Sequence, residues 1–137
     1  MAHMVKSHWE LDVYKKAFDV ATALTELSRK FPREETYSLT DQLRKSARSV
    51  CANLAEAWRK RCCEAAFASK LNDAEGEAAE TQVWIQFAVK CGYLDRATAD
   101  QYFRACNEVI RILVTMRLKA EDWAFPAPSR SRKSQPK

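Results

Sequence analysis

Between Leu39 and Arg61 the chain reads LTDQLRKSARSVCANLAEAWRKR, with no glycine or proline to interrupt it. At roughly 1.5 Å per residue, a helix of this length extends about 34 Å. Leu43, Ala47, Val50, Leu54 and Trp58 recur at steps of four and three, so one side of the helix is apolar. At about 100° per residue the stripe spans roughly 80°, and Arg44, Arg48 and Arg59 lie about 90–150° from its centre. Ser38, three residues ahead of Asp41, is placed to cap the first turn. The helix therefore has a seam that must be buried and a basic flank beside it.

Three further segments carry the same kind of pattern. The first runs from about Leu11 to Lys30, with Tyr14, Ala17, Ala21, Leu24 and Phe31 on its buried side and Phe18, Val20 and Leu27 widening that side. Pro32 ends it, because the residue before a proline is biased out of the helix. Tyr37 and Phe31 are expected to close that end of the core. The third segment runs from about Glu64 to Cys91, with Phe67, Leu71, Ala74, Ala78, Thr81, Ile85 and Ala88 in register. Its alanines allow a partner helix to approach closely. Gly92 suits the position just past a helix end, and Asp95 can cap the fourth helix, about Arg96 to Asp122. Tyr102, Ala105, Val109, Ile112, Leu113 and Met116 form its stripe, and Ile110 and Val114 fall outside it. No glycine separates the second and third helices. One helix of about 50 residues would be unusual in a single domain, so a break is expected near Lys60–Cys63.

Four amphipathic helices with short connectors predict an all-α fold, an antiparallel up-down-up-down four-helix bundle. Residues 9–125 are expected to form the bundle. Residues 1–8, which begin with what looks like a cloning remnant, and the basic tail 126–137 are expected to be disordered. The net charge of +5 is uneven. Arg130, Arg132, Lys133 and Lys137 stand in the tail with no acid beside them. Leu39–Arg61 is basic and 64–90 is acidic, so the two helices can complement one another.

The chemistry that would make this an enzyme is missing from the sequence. Both histidines, His3 and His8, precede the first helix, so no helix can supply the Glu-x-x-His ligands of a di-iron bundle or a histidine to zinc or heme. No serine or cysteine has a histidine base, and no glycine-rich loop could cradle a phosphate. Glu75, Glu77 and Glu80 have the spacing of a solvated or salt-bridged helix surface. No catalytic residue, metal site or cofactor is therefore expected. Five cysteines, an odd number without a disulfide-like pattern, fit a reducing cytoplasm. Cys62-Cys63 reads as a pair of small residues at a helix junction. No apolar run reaches the length of a membrane span, and the N-terminus lacks the hydrophobic segment of a signal peptide.

The run Phe31-Pro32, Tyr37, Leu39-Thr40, Gln42-Leu43-Arg44, Ala47, Ser49-Val50 and Asn53-Leu54-Ala55-Glu56, continued by Glu80-Thr81-Gln82 and Gly92-Tyr93-Leu94, carries a resemblance. It resembles the bacterial four-helix bundle proteins related to the 23S rRNA intervening-sequence protein. That family also includes the accessory protein of diversity-generating retroelements. The likeness covers about residues 9–120. The chain departs from it at Ala57 and near Arg59, where relatives usually carry glycine. The resemblance implies a four-helix bundle, assembly into rings of five, and an accessory role toward nucleic acid and a reverse transcriptase.

Two roles follow as expectations. In the first, bulky residues beyond what one small bundle hides, Trp9, Trp58, Trp84, Ile110, Val114 and Trp123, form a subunit interface. Burial by wide stripes and helix ends is the plain alternative. In the second, Arg44, Lys45, Arg48, Arg59, Lys60 and Arg61, helped by Arg130, Arg132 and Lys133, contact RNA or DNA phosphates. Here the alternative is that Arg44 only pairs with acids of the third helix. Glu56 interrupts the strip, and no aromatic stacking platform is expected beside it. Both roles belong to a non-enzymatic oligomeric scaffold or accessory protein. A protein-binding helical adaptor without nucleic-acid contact is the other reading.

Overall fold

The protein is represented by a computed structural model, which describes residues 5–124. Helix α1 spans Asp12–Leu27, α2 Leu39–Arg59, α3 Glu64–Lys90 and α4 Arg96–Leu118, followed by a single turn, α5, Ala120–Trp123. Among the described residues there is no strand. The expected tail and residues 1–4 of the expected disordered N-terminus lie outside the described residues, whereas residues 5–8 are placed, with Val5 against the core and the Lys6 carbonyl on the Trp58 indole.

Cross-helix bonds establish the topology. Arg44 and Arg48 of α2 reach back to Ser28 and Thr25 at the end of α1. Thr81 of α3 bonds Ser46 of α2, and Lys70 bonds Asn53. Gln82 and Glu75 of α3 meet Asn107 and Arg117 of α4. In each pair one number rises as the other falls, so successive helices run antiparallel. Helix α4 returns to pack on α1 and closes the bundle.

The core has two clusters. One gathers Leu54, Trp58, Phe67, Leu71 and Leu113. The other gathers Leu24, Phe31, Leu43, Ile85 and Leu94. Between them lies a waist of small residues, Ala17, Ala47 and Ala78, around an apolar void of about 10 Å³. All seven residues of the expected α3 stripe are buried. On α4, Cys106 faces the core, whereas Tyr102, Ala105 and Ile112 are half-buried.

Helix ends explain the connectors. Gly92 has φ +81°, and the amides of Gly92 and Tyr93 bond the carbonyls of Val89 and Ala88, closing α3 in a Schellman motif. Asp95 accepts from the Thr98 amide at 3.0 Å and caps α4. The α2–α3 break falls at 60–63, with no left-handed residue. Arg61 makes glycine dispensable there. Its Nε donates to the Trp58 carbonyl at 2.8 Å, satisfying one of the orphaned acceptors at the end of α2.

Several expectations are corrected. Ser38 makes no cap bond; its hydroxyl donates to Glu35 Oε1 at 2.6 Å, and the same oxygen accepts the Leu39 amide. The longer carboxylate reaches what the serine does not. Tyr37 does not close the core but stands 92% exposed, and Tyr93 packs on Phe31 in its place, with centroids 5.5 Å apart. Phe18 does not widen the buried side of α1: it is 52% exposed, one residue off the Ala17–Ala21–Leu24 line. Helix α4 stops at Leu118 rather than continuing to Asp122, because Lys119 leaves helical geometry at ψ 38°. The ion pair between α2 and α3 runs opposite in sign to the segment charges. The acid is Glu56 of α2 and the base Lys70 of α3, 2.7 Å apart.

Candidate nucleic-acid interface

The basic flank of α2 divides into residues that the fold consumes and residues that it leaves available. Arg61 is consumed. Besides closing α2, its guanidinium lies 3.6 Å from the centre of the Trp58 ring. Burial and the neighbouring Arg59 pull its pKa below the usual arginine value. Lys45 pairs with Asp41 one turn earlier at 3.8 Å. Arg59 and Lys60 are exposed at the end of α2. Arg130, Arg132 and Lys133 lie outside the described residues.

Arg44 and Arg48 form the remaining part. Arg44 does not pair with acids of α3. Its Nε donates to Ser28 Oγ at 2.8 Å, and a terminal nitrogen donates to the Thr25 carbonyl at 3.3 Å. Arg48 donates to Thr25 Oγ1 at 3.3 Å. Among the described residues neither guanidinium has a carboxylate partner. The two arginines stand one turn apart, so both positive charges face the end of α1.

A row of rings that sequence reasoning missed runs along the same side of α1. His8 meets Trp9 and Tyr14 edge-on, at 5.0 Å in both cases. Tyr14 stacks on Phe18 with centroids 5.9 Å apart and planes 26° apart. The two ends of the row, Trp9 and Phe18, are exposed. The legible signal was the four-residue spacing of Tyr14 and Phe18, which brings side chains together on a helix surface. Tyr14, Phe18, Thr25 and Arg48 line one groove of about 410 Å³ between α1 and α2, floored by Ala21 and Cys51. The basic strip of α2, beside which no aromatic stacking platform is expected, thus has an exposed ring of α1 next to Arg48.

The expected interface residues are mostly absorbed by the subunit. Trp58 is buried, with Trp123 packed edge-on at 6.2 Å and its indole nitrogen 3.4 Å from the Lys6 carbonyl. It therefore offers no surface to a partner. Trp123 and Ile110 pack against the Trp58 cluster and Trp84 against the other, each half-buried, as is Val114. Of the expected set Trp9 is exposed, and the other exposed large apolar side chains among the described residues are Phe18, Tyr37, Val83, Phe87 and Leu118. Tyr37 and Phe87 flank a second open groove of about 580 Å³, beside Trp84. The Trp84 indole nitrogen is buried there without a hydrogen-bond partner.

Reactive chemistry is sparse. Burial pushes the Cys51 thiol up to about 11 and Cys106 to about 12, which disfavours either thiolate. Among the described residues no cluster of three or more histidines, cysteines and acids could hold a metal ion, and no helix is long and apolar enough to cross a membrane.

The family model described as 23S rRNA-intervening sequence protein matches residues 9–115. Among solved structures, the chain is similar to a protein of unknown function from the S23 ribosomal protein family of Bacteroides thetaiotaomicron. The two are 25% identical, with a TM-score of 0.70, over 77% of this chain and 94% of that one. No curated protein matches the sequence.

Proposed function

The chain belongs to the 23S rRNA-intervening sequence protein family, and from that premise we propose that it is a non-enzymatic accessory protein that assembles with copies of itself and offers a cationic face to RNA or DNA. The observation that carries the reading is the pair Arg44 and Arg48, held by hydroxyl and carbonyl groups of α1 and, among the described residues, without a carboxylate partner. Guanidiniums held in place by neutral groups keep donors available, which suits phosphate contact. The exposed Arg59 and Lys60 extend the charge along α2.

Self-association is supported by the exposed Tyr37 and Phe87, which line one groove, and by Val83, one turn from Phe87 on α3. Five copies is the number that the resemblance implies. A reverse transcriptase, or another protein acting on nucleic acid, is the protein partner in this reading. The cytoplasm is its place.

Titration of mixed-sequence RNA and DNA at two salt concentrations tests the nucleic-acid part. Binding at low salt that weakens steeply as salt rises is expected. No binding at low salt, or binding indifferent to salt, would overturn it. A second reading, a protein-binding adaptor without nucleic-acid contact, is favoured only by the Tyr37–Phe87 groove with its unpartnered Trp84 indole. That outcome would follow if the titration failed while the exposed rings still governed association.

A further inference from the structure

We propose that the groove between α1 and α2 is a seat for single-stranded nucleic acid, a base stacking on Phe18 and the adjoining phosphates meeting Arg48 and Arg44. The inference rests on the nucleic-acid reading above and assigns it a place.

Phe18 has one face stacked on Tyr14, and about half of its surface is open to solvent. A ring braced from behind loses little freedom when a base stacks on its outer face, and any base has a face to offer. Arg48 lines the same groove and uses one donor, at 3.3 Å, of the five that a guanidinium has. Arg44, one turn away, is likewise anchored on α1 without a carboxylate. Among the lining residues, Glu26 is the only acid, and it is held by Arg29 at 3.1 Å, so the groove stays positive. Thr22 and Thr25 line it with hydroxyls that can bond sugar or base edges. The carboxylates of an acidic protein segment would use the arginines alone, whereas each nucleotide brings a phosphate and a flat base together. The exposed aromatic therefore favours a nucleotide chain over an acidic peptide.

The groove holds about 410 Å³ between two helices, room for a splayed base but not for a paired one, so it favours single strands over a duplex. The row of rings continues through Tyr14 and His8 to Trp9, giving an extended strand further places to rest.

The test is fluorescence anisotropy of a labelled oligouridylate titrated with the full chain, its Phe18→Ala variant and its Arg48→Gln variant, over a range of salt. Both side chains are exposed, and circular dichroism verifies that each variant is folded. Phe18→Ala is expected to weaken binding roughly five- to hundredfold with an unchanged salt slope. Arg48→Gln is expected to weaken binding and to reduce the slope by about one phosphate contact. If the parent binds with a steep salt slope and both variants match it, this seat is wrong while the nucleic-acid reading stands. If the parent binds nothing at low salt, both fall. If polyglutamate displaces the oligouridylate as effectively as unlabelled RNA does, the groove takes acidic protein and the proposal is overturned.

Discussion

Tyr93 donates its phenolic proton to Glu35 Oε2 at 2.9 Å, across 58 positions of sequence, and joins the α1–α2 connector to the α3–α4 turn. The other oxygen of Glu35 accepts the Ser38 hydroxyl and the Leu39 amide. One carboxylate thus organises the end of the bundle where both connectors meet. The hydroxyl of Ser38, the phenol of Tyr93 and the amide of Leu39 together hold the Glu35 carboxyl below its ordinary range. The same carboxylate pushes the Tyr93 phenol up to about 12.

A depressed folded-state pKa stabilises the fold above the ordinary carboxylate pKa, and that stability is lost as pH falls through the folded-state value. Glu35→Gln is therefore expected to lower the urea midpoint at neutral pH. The parent and variant curves should converge in acid, below the carboxylate range. For Tyr93 the sign is opposite: its contribution is present below the ordinary tyrosine pKa near 10 and is lost as pH rises through about 12. Absorbance titration should show two late-ionising tyrosines, Tyr14, raised by burial and Cys51, and Tyr93, of which Glu35→Gln brings only Tyr93 earlier.

Gly92 sits at φ +81° with nothing within 4 Å of where a Cβ would be. Gly92→Ala therefore costs backbone strain alone, about 1 kcal/mol. Chemical denaturation should show the loss as a shifted midpoint without a change in slope.

The five cysteines are unpaired and fall into two groups: Cys62, Cys63 and Cys91 are exposed, Cys51 and Cys106 buried. A thiol reagent at neutral pH should react promptly with the first three. The other two should react only as the bundle opens, since burial holds both thiols up at about 11 and 12. A urea-dependent rate confined to two thiols is the expected result.

Phe87 is 53% exposed and tilts against Trp84 at 6.0 Å. If this surface joins copies of the chain, Phe87→Arg should weaken assembly by at least tenfold while leaving helix content nearly unchanged, because a charge in an apolar interface goes unpaired. Sedimentation velocity over a dilution series reads the change.

Much of the bundle was legible because its signals are local. The α3 stripe repeats at four-three spacing over its whole length, and Gly92 and Asp95 occupy the positions where a Schellman turn and a helix cap need them. The break at 60–63 is legible from length alone, but its cause is not, since Arg61, a long side chain, closes α2 through the Trp58 carbonyl and ring. Phe18 was misplaced because a stripe widened by one apolar neighbour looks like a wider buried face; only the packing of α2 and α4 decides where burial ends. Segment charges suggested that α2 and α3 complement each other, yet the bond that forms joins Glu56 to Lys70, because facing residues and not totals make ion pairs. Trp58 was counted as surplus surface because its covers, Lys6 and Trp123, come from both ends of the chain. Arg44 and Arg48 were nominated from the helix flank, but the ring row beside them depends on how the segment before α1 folds back, which α2 cannot reveal.

Light scattering on the full chain, with and without single-stranded RNA at low and high salt, tests self-association and nucleic-acid contact together. The expected result is a mass several times 15.7 kDa, fivefold if the resemblance holds, which grows when RNA is added at low salt and returns when salt is raised. A particle of 15.7 kDa at micromolar concentration whose mass RNA leaves unchanged would contradict it.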